Sequence, residues 1–291
     1  MEYDPQHILN RFPAKPESFP ILQSYHWRNT MKKTTVITSL ISAIALIATF
    51  SLQAQDDADG AGLAPLSDVW LVVPKAGKED EFFAALAVDK KLRDEKDDSR
   101  AWEVYTVAVG DDTDAVQFRA CCFNWADQDA YDVEEEEKGF SAHWNDKVSP
   151  YVDHYHRSIQ NMDWENSYWP DGEGDGPYYG VTTWDIKFDA GPASGIARRA
   201  MSKIAIENGW ADTAGGWLWH YTETGKPRMM VASSYANFAE MEPPEVTIYD
   251  FMVEALGEEE AVKIFSDFNS AYSSSDYTIW EHRPELSASP D

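Results

Sequence analysis

Histidine and cysteine are the scarce chemistry-bearing residues of this 291-residue chain. Beyond residue 54 the histidines are His143, His154, His156, His220 and His282, and the two cysteines, Cys121 and Cys122, are neighbours. His154-x-His156 would set two imidazoles on one face of a strand, which suits zinc or copper. A site needs a third ligand, for which only Asp153 and Asp163 lie close in sequence. An exposed strand end accounts for the pair as well, so no resident metal is expected. Neighbouring Cα atoms across a trans peptide lie about 3.8 Å apart, under the usual disulfide range of roughly 4.4–6.8 Å. Strand neighbours also point to opposite faces. Two buried free thiols are therefore expected, with a vicinal redox bridge as the alternative. No G-x-S-x-G, G-x-x-x-x-G-K-[ST] or G-x-G-x-x-G motif is present.

The charge balance narrows the partners. With 51 acidic against 24 basic residues the net charge is −27, which repels nucleic acid and anionic lipid. The acids are dispersed, with Glu134–Glu137 the only run, so they read as a solvated coat. A small molecule is the partner the sequence leaves open, and nucleic acid is not expected. Met31-Lys-Lys, an apolar run over 36–50 and small Ala54 have the layout of a secretory signal peptide over 31–54. Residues 1–30 then read as a spurious extension from an early start, and 55–66 as a flexible linker. The alternative is a membrane anchor over 34–52. Cleavage would remove five basic and three acidic residues, moving the net charge from −27 to −29. A periplasmic or secreted protein without stable membrane association is expected.

The elements that must position these residues occur twice, about 114 positions apart. Trp70 to Gly77 answers to Trp184 to Gly191, Asn124-Trp-Ala-Asp127 to Asn237-Phe-Ala-Glu240, Trp102 to Trp217, and Trp164-Glu165 to Trp280-Glu281. The first unit, 67–170, reads as strands over 68–74, 102–109, 115–123 and 155–164. Its helices fall over 78–97 and from Asn124 onward. Residues 171–177, with three glycines and a proline, form the linker. The second unit, 178–287, repeats the order, with a helix over 192–208 that presents Ile196, Ala200 and Ile204, and a helical stretch broken at Gly257. Residues 288–291 are left as a tail. Each unit reads β-α-β-β-α-β. The fold class is thus α+β: two tandem ferredoxin-like repeats packed sheet to sheet as an intramolecular α/β barrel. A monomer with an internal pseudo-dimer is expected.

This order, with Phe123-Asn124-Trp125-Ala126-Asp127 leading from the third strand into a helix, resembles the dimeric α/β-barrel superfamily, which includes antibiotic-biosynthesis-monooxygenase-like domains and haem-degrading enzymes. The resemblance implies a monooxygenase, cofactor-independent or haem-dependent, with His143, Asn124 and Trp125 as the catalytic candidates and His143 as the axial ligand of any haem. The residues themselves favour a blander reading. Asn followed by an acid three positions later is a helix-capping pattern, and the repeated tryptophans suit core packing. Haem propionates want basic partners, and the first unit offers only Arg119, Lys147 and Arg157. The expectation is a non-catalytic small-ligand-binding or interaction protein without a cofactor. Its candidate ligand-binding residues are Arg119, Arg157, Asn237, His220 and Trp219.

Overall fold

The computed structural model describes residues 64–170, 176–211 and 215–288. The extension over 1–30, the signal peptide over 31–54 and nearly all of the linker over 55–66 lie outside the described residues, as does most of the linker over 171–177. Among the described residues no helix is long and apolar enough to cross a membrane.

Within the described residues, eight strands and six α-helices follow one another as β1 (Leu66–Pro74), α1 (Glu79–Glu95), β2 (Trp102–Val109), β3 (Val116–Phe123), α2 (Trp125–Lys138), α3 (Phe140–Lys147) and β4 (Val152–Met162), then β5 (Tyr178–Ile186), α4 (Gly191–Glu207), β6 (Leu218–Thr222), β7 (Arg228–Tyr235), α5 (Ile248–Leu256), α6 (Glu258–Ser270) and β8 (Tyr272–His282). Every strand pair is antiparallel. The strands close into a barrel in the order β1-β3-β2-β8-β5-β7-β6-β4. The fold is α+β with a ferredoxin-type arrangement. The strands of the first and second halves join at β2–β8 and β4–β6.

Alternation along each strand sorts the side chains. On β2 and β3, Trp102, Val104, Val116 and Phe118 point outward, into a core closed by Phe82 and Leu86 of α1 and Tyr131 of α2. Trp217 beside β6, Trp219 of β6 and Met229 of β7 do the same against Met201 of α4 and Phe268 of α6. Gly139 and Gly257, at φ 75° and 84°, each break a helical stretch in two, a backbone turn that glycine makes without Cβ penalty.

The α4 stripe is rotated from the one the sequence suggested. Ser194, Ala197, Arg198, Met201, Ser202 and Ala205 are buried, while Ile196 is 62% exposed. Small residues let the helix lie close on the Trp-rich sheet, and polar partners reward that face. Ser194 Oγ is 2.6 Å from Tyr272 Oη, and Arg198 pairs with Asp163.

Two boundaries are corrected. Leu66, placed in the linker, belongs to β1 and is 2% exposed, because it packs with Phe123 and Ile159. Ala288, placed in the tail, is buried, because its N–H and C=O bond to those of Trp102. The cysteines also differ from expectation. Cys121 and Cys122 are joined as a vicinal disulfide. The trans geometry that separated them does not apply, since the peptide between them is cis. Cys121 is half-buried and Cys122 exposed.

The segments after β4 and β8 make matching contacts. The N–H and C=O of Trp102 bond to Ala288, and those of Trp217 bond to Tyr168. Val104 N–H donates to Ser287 Oγ at 2.9 Å, and Trp219 N–H donates to Ser167 Oγ at 2.8 Å. Each segment thereby completes the strand at the start of the other half's hairpin. Ser167→Ala and Ser287→Ala each leave one backbone N–H unpaired, so each is expected to cost about 1–2 kcal/mol. Urea unfolding of the two variants checks this; a loss confined to one of them would show that the two junctions are not equivalent.

Candidate functional site

The inward-facing residues of the strands enclose a cavity of about 720 Å³. Its position follows from register. Glu103 of β2 lies opposite Arg119 of β3, Tyr179 of β5 opposite Trp280 of β8, and Tyr105 opposite His282 where the β2–β8 edge closes. Trp164 and Trp169, from the segment after β4, complete an aromatic wall with Tyr105, Tyr179 and Trp280. Tyr105 and Tyr179 meet edge to face at 5.4 Å. Burial raises the Tyr105 hydroxyl above its ordinary pKa, keeping it protonated.

His220 enters this wall from β6. Its Nδ1 lies 2.8 Å from Gln160 Oε1 of β4. With that carbonyl as acceptor, the assigned tautomer carries its proton on Nδ1. Nε2 is then a lone-pair acceptor, and it is buried without a hydrogen-bond partner among the described residues. Burial, and next the nearby Arg119 charge, push the imidazole down to about pKa 3. The ring is therefore neutral at physiological pH.

Arg119 is half-buried on β3 and donates to Met162 Sδ at 3.3 Å. The acid across from it, Glu103, is engaged by His282 Nε2. Among the described residues no carboxylate lies within ion-pair distance of Arg119. The cavity thus brings together the Arg119 guanidinium, the neutral His220 ring, the Glu103–His282 pair, Gln117 and aromatic walls, with Cys121 also in its lining.

A second cavity, about 320 Å³, lies between the outer face of β1–β3–β2 and helices α1 to α3. Trp70, Trp102, Phe118, Trp144 and Tyr155 line it together with Leu286. Most of its charged groups are paired, while Glu135, raised above its ordinary pKa chiefly by burial, is in no ion pair among the described residues. Asp68 accepts from Arg157 and Arg100, and Arg93 bridges Asp89 and Asp98.

The other candidates are dispersed. His143 of α3 lies 2.8 Å from Asp89 Oδ1 through Nδ1 and lines neither cavity. Asn124 caps α2, its N–H donating to Asp127 Oδ2 at 2.7 Å, and Trp125 is 54% exposed. Asn237 caps the short turn at Phe238–Met241, where Oδ1 accepts from Ala239 N–H at 2.9 Å. Trp219 points into the outer core and donates to Ser202 Oγ at 3.0 Å. Arg157 serves the helix-side cavity and stacks over Trp70 at 4.7 Å. His154 and His156 stand exposed on β4 with ring centroids 5.3 Å apart. Among the described residues no group of three or more His, Cys, Asp or Glu is arranged to hold a metal ion.

Only Arg119 and His220 come together. Glu103, Tyr105, Trp169, Tyr179 and His282 were not singled out from sequence: none shares a strand with Arg119 or His220, so alternation alone did not tie them to that face. The residues do not fit a haem held by His143. That imidazole lines neither cavity, and Asp68, Asp89 and Glu135 are in the wall of the helix-side one.

No family model and no curated protein matches the chain. Solved structures that it resembles include an anthrone oxidase-like protein, at 10% identity over 77% of this chain and 93% of that one, with a TM-score of 0.48. Another is a mutant chlorite dismutase from Candidatus Nitrospira defluvii in complex with cyanide, at 10% identity over 78% and 94%, with a TM-score of 0.47. The likeness is one of fold.

Proposed function

We propose that this protein is a non-catalytic binder of a small molecule held inside the barrel. The observation that carries the reading is His220 Nε2, an unpartnered acceptor buried in the wall of a 720 Å³ aromatic-lined cavity. A buried acceptor left unpaired costs about 1–3 kcal/mol, which a bound donor would recover. Cavities of roughly 300–1,000 Å³ suit organic ligands. An imidazole pushed down to about pKa 3 is a poor general base at neutral pH, which favours binding over proton transfer. We read the barrel as two ferredoxin-like repeats in one exported, monomeric chain. The strand order and the matching segments after β4 and β8 support the repeats, and residues 31–54 support export.

Titration with the neutral fluorophore N-phenyl-naphthylamine tests the site. One saturable equivalent is expected in the wild type, and Val181→Trp, which narrows the cavity with an added indole, should weaken it while leaving the circular dichroism unchanged. Undiminished binding in that variant would remove the barrel interior as the site.

A second reading, a monooxygenase of the dimeric α/β-barrel type, is favoured by the aromatic lining of the helix-side cavity. Dioxygen uptake with a hydroxynaphthoate, lost in Trp144→Ala, would support it over the first.

A further inference from the structure

We infer that the barrel interior takes a planar aromatic carboxylate that carries its own hydroxyl donor. The inference rests on the reading of the barrel as a ligand site and names the ligand class. Three features of the cavity each select one property.

Arg119 selects the anion. It faces inward from the middle of β3 and is half-buried, with Met162 Sδ as its recorded hydrogen-bond acceptor. The carboxylate that register places across from it, Glu103, is committed to His282. In a chain of net charge −27, an inward-facing arginine without an acid at ion-pair distance stands out against the acidic background. Its planar fork matches a carboxylate in a bidentate pair.

His220 selects the donor. Gln160 occupies Nδ1, so the buried, unpartnered Nε2 is left the acceptor role, and a ligand that packs against it would offer an O–H or N–H. A ligand that is merely anionic would leave this acceptor buried and dry, or set two lone pairs against each other.

The walls select the ring. Trp164, Trp169 and Trp280, with Tyr105 and Tyr179, offer flat apolar faces from both halves of the chain. Such faces favour stacking or edge contacts with an aromatic ligand. The volume admits a two-ring molecule.

Calorimetric titration of the full chain with three probes tests the class. Hydroxynaphthoate carries both the carboxylate and the donor, naphthoate lacks the donor, and naphthol lacks the carboxylate. Hydroxynaphthoate should bind about tenfold more tightly than naphthoate, the worth of one buried hydrogen bond. Its margin over naphthol should be about tenfold or more. Arg119→Gln should erase the margin over naphthol and keep the margin over naphthoate. His220→Phe should do the reverse, and Arg119→Lys should keep part of the carboxylate preference. The crossed pattern separates ligand contact from general damage to the fold, which would weaken all three probes together. If N-phenyl-naphthylamine occupies the cavity but hydroxynaphthoate neither displaces it nor outcompetes naphthol, the ligand class is wrong and the barrel site survives. If no probe binds, both readings fall.

Discussion

The protein is expected to lose stability steeply between pH 6.5 and 3, and His220→Gln is expected to remove one proton's worth of that slope. The folded-state pKa of His220 is pushed down to about 3 from 6.5, first by burial and then by Arg119. In that window the unfolded chain binds a proton that the folded chain refuses. Stability attached to this residue is thus fully present above pH 6.5 and lost as pH falls toward 3. The slope is about 1.4 kcal/mol per pH unit, on the order of 4–5 kcal/mol across the window. Carboxylates titrate in the same range in both proteins, so the difference between wild type and His220→Gln isolates the imidazole. Urea unfolding at half-unit pH steps measures it. Parallel curves for the two proteins would mean that His220 ionises freely in the folded state. The same depressed proton affinity separates a hydrogen-bond acceptor from a general base, so this measurement also bears on function.

Asp68→Ala is expected to cost about 3–5 kcal/mol, the usual loss when one member of a buried ion network is removed. Asp68 is 1% exposed and accepts from Arg157 Nε and Nη2 at 3.0 and 2.7 Å and from Arg100 Nη1 at 3.4 Å. Without it Arg100, itself 8% exposed, keeps Gln128 Oε1 at 2.8 Å and the ring faces of Phe123 and Tyr131 at 4.2 and 4.0 Å. None of these neutralises a guanidinium whose charge burial already disfavours. Arg157 is half-exposed, so water replaces part of what it loses. Arg157→Ala should therefore cost less, about 1 kcal/mol. Denaturant midpoints of the two variants check the order. A loss below about 1 kcal/mol for Asp68→Ala would mean that the network is not what anchors β1 beneath the helices.

Particular residues show how far the sequence reached. The internal repeat matched Trp102 to Trp217, and the spacing of Asn124 to Asp127 and of Asn237 to Glu240 identified two caps. The caps are local features, set within one or two turns of chain. Asp68 read only as the start of an apolar run, because Arg100 and Arg157 lie 32 and 89 residues away. Ile196 was presented with Ala200 and Ile204 because apolar spacing alone was weighed, whereas Ser194 and Arg198 found partners in Tyr272 of β8 and in Asp163 after β4. His143, singled out as the axial ligand that the resemblance implied, is a partner of Asp89.

The sequence by itself determined the order of strands and helices, the caps and the acidic balance, and it offered Arg119 and His220 only among five candidates. Only the tertiary structure decided that these two share one cavity, that Gln160 fixes the His220 tautomer and that Glu103 is spent on His282. Alternation divides a strand into two faces but does not say which face meets the other half of the chain. That choice is made where β2 closes on β8 and β4 on β6, through pairings that join residues 58 or more positions apart in the sequence.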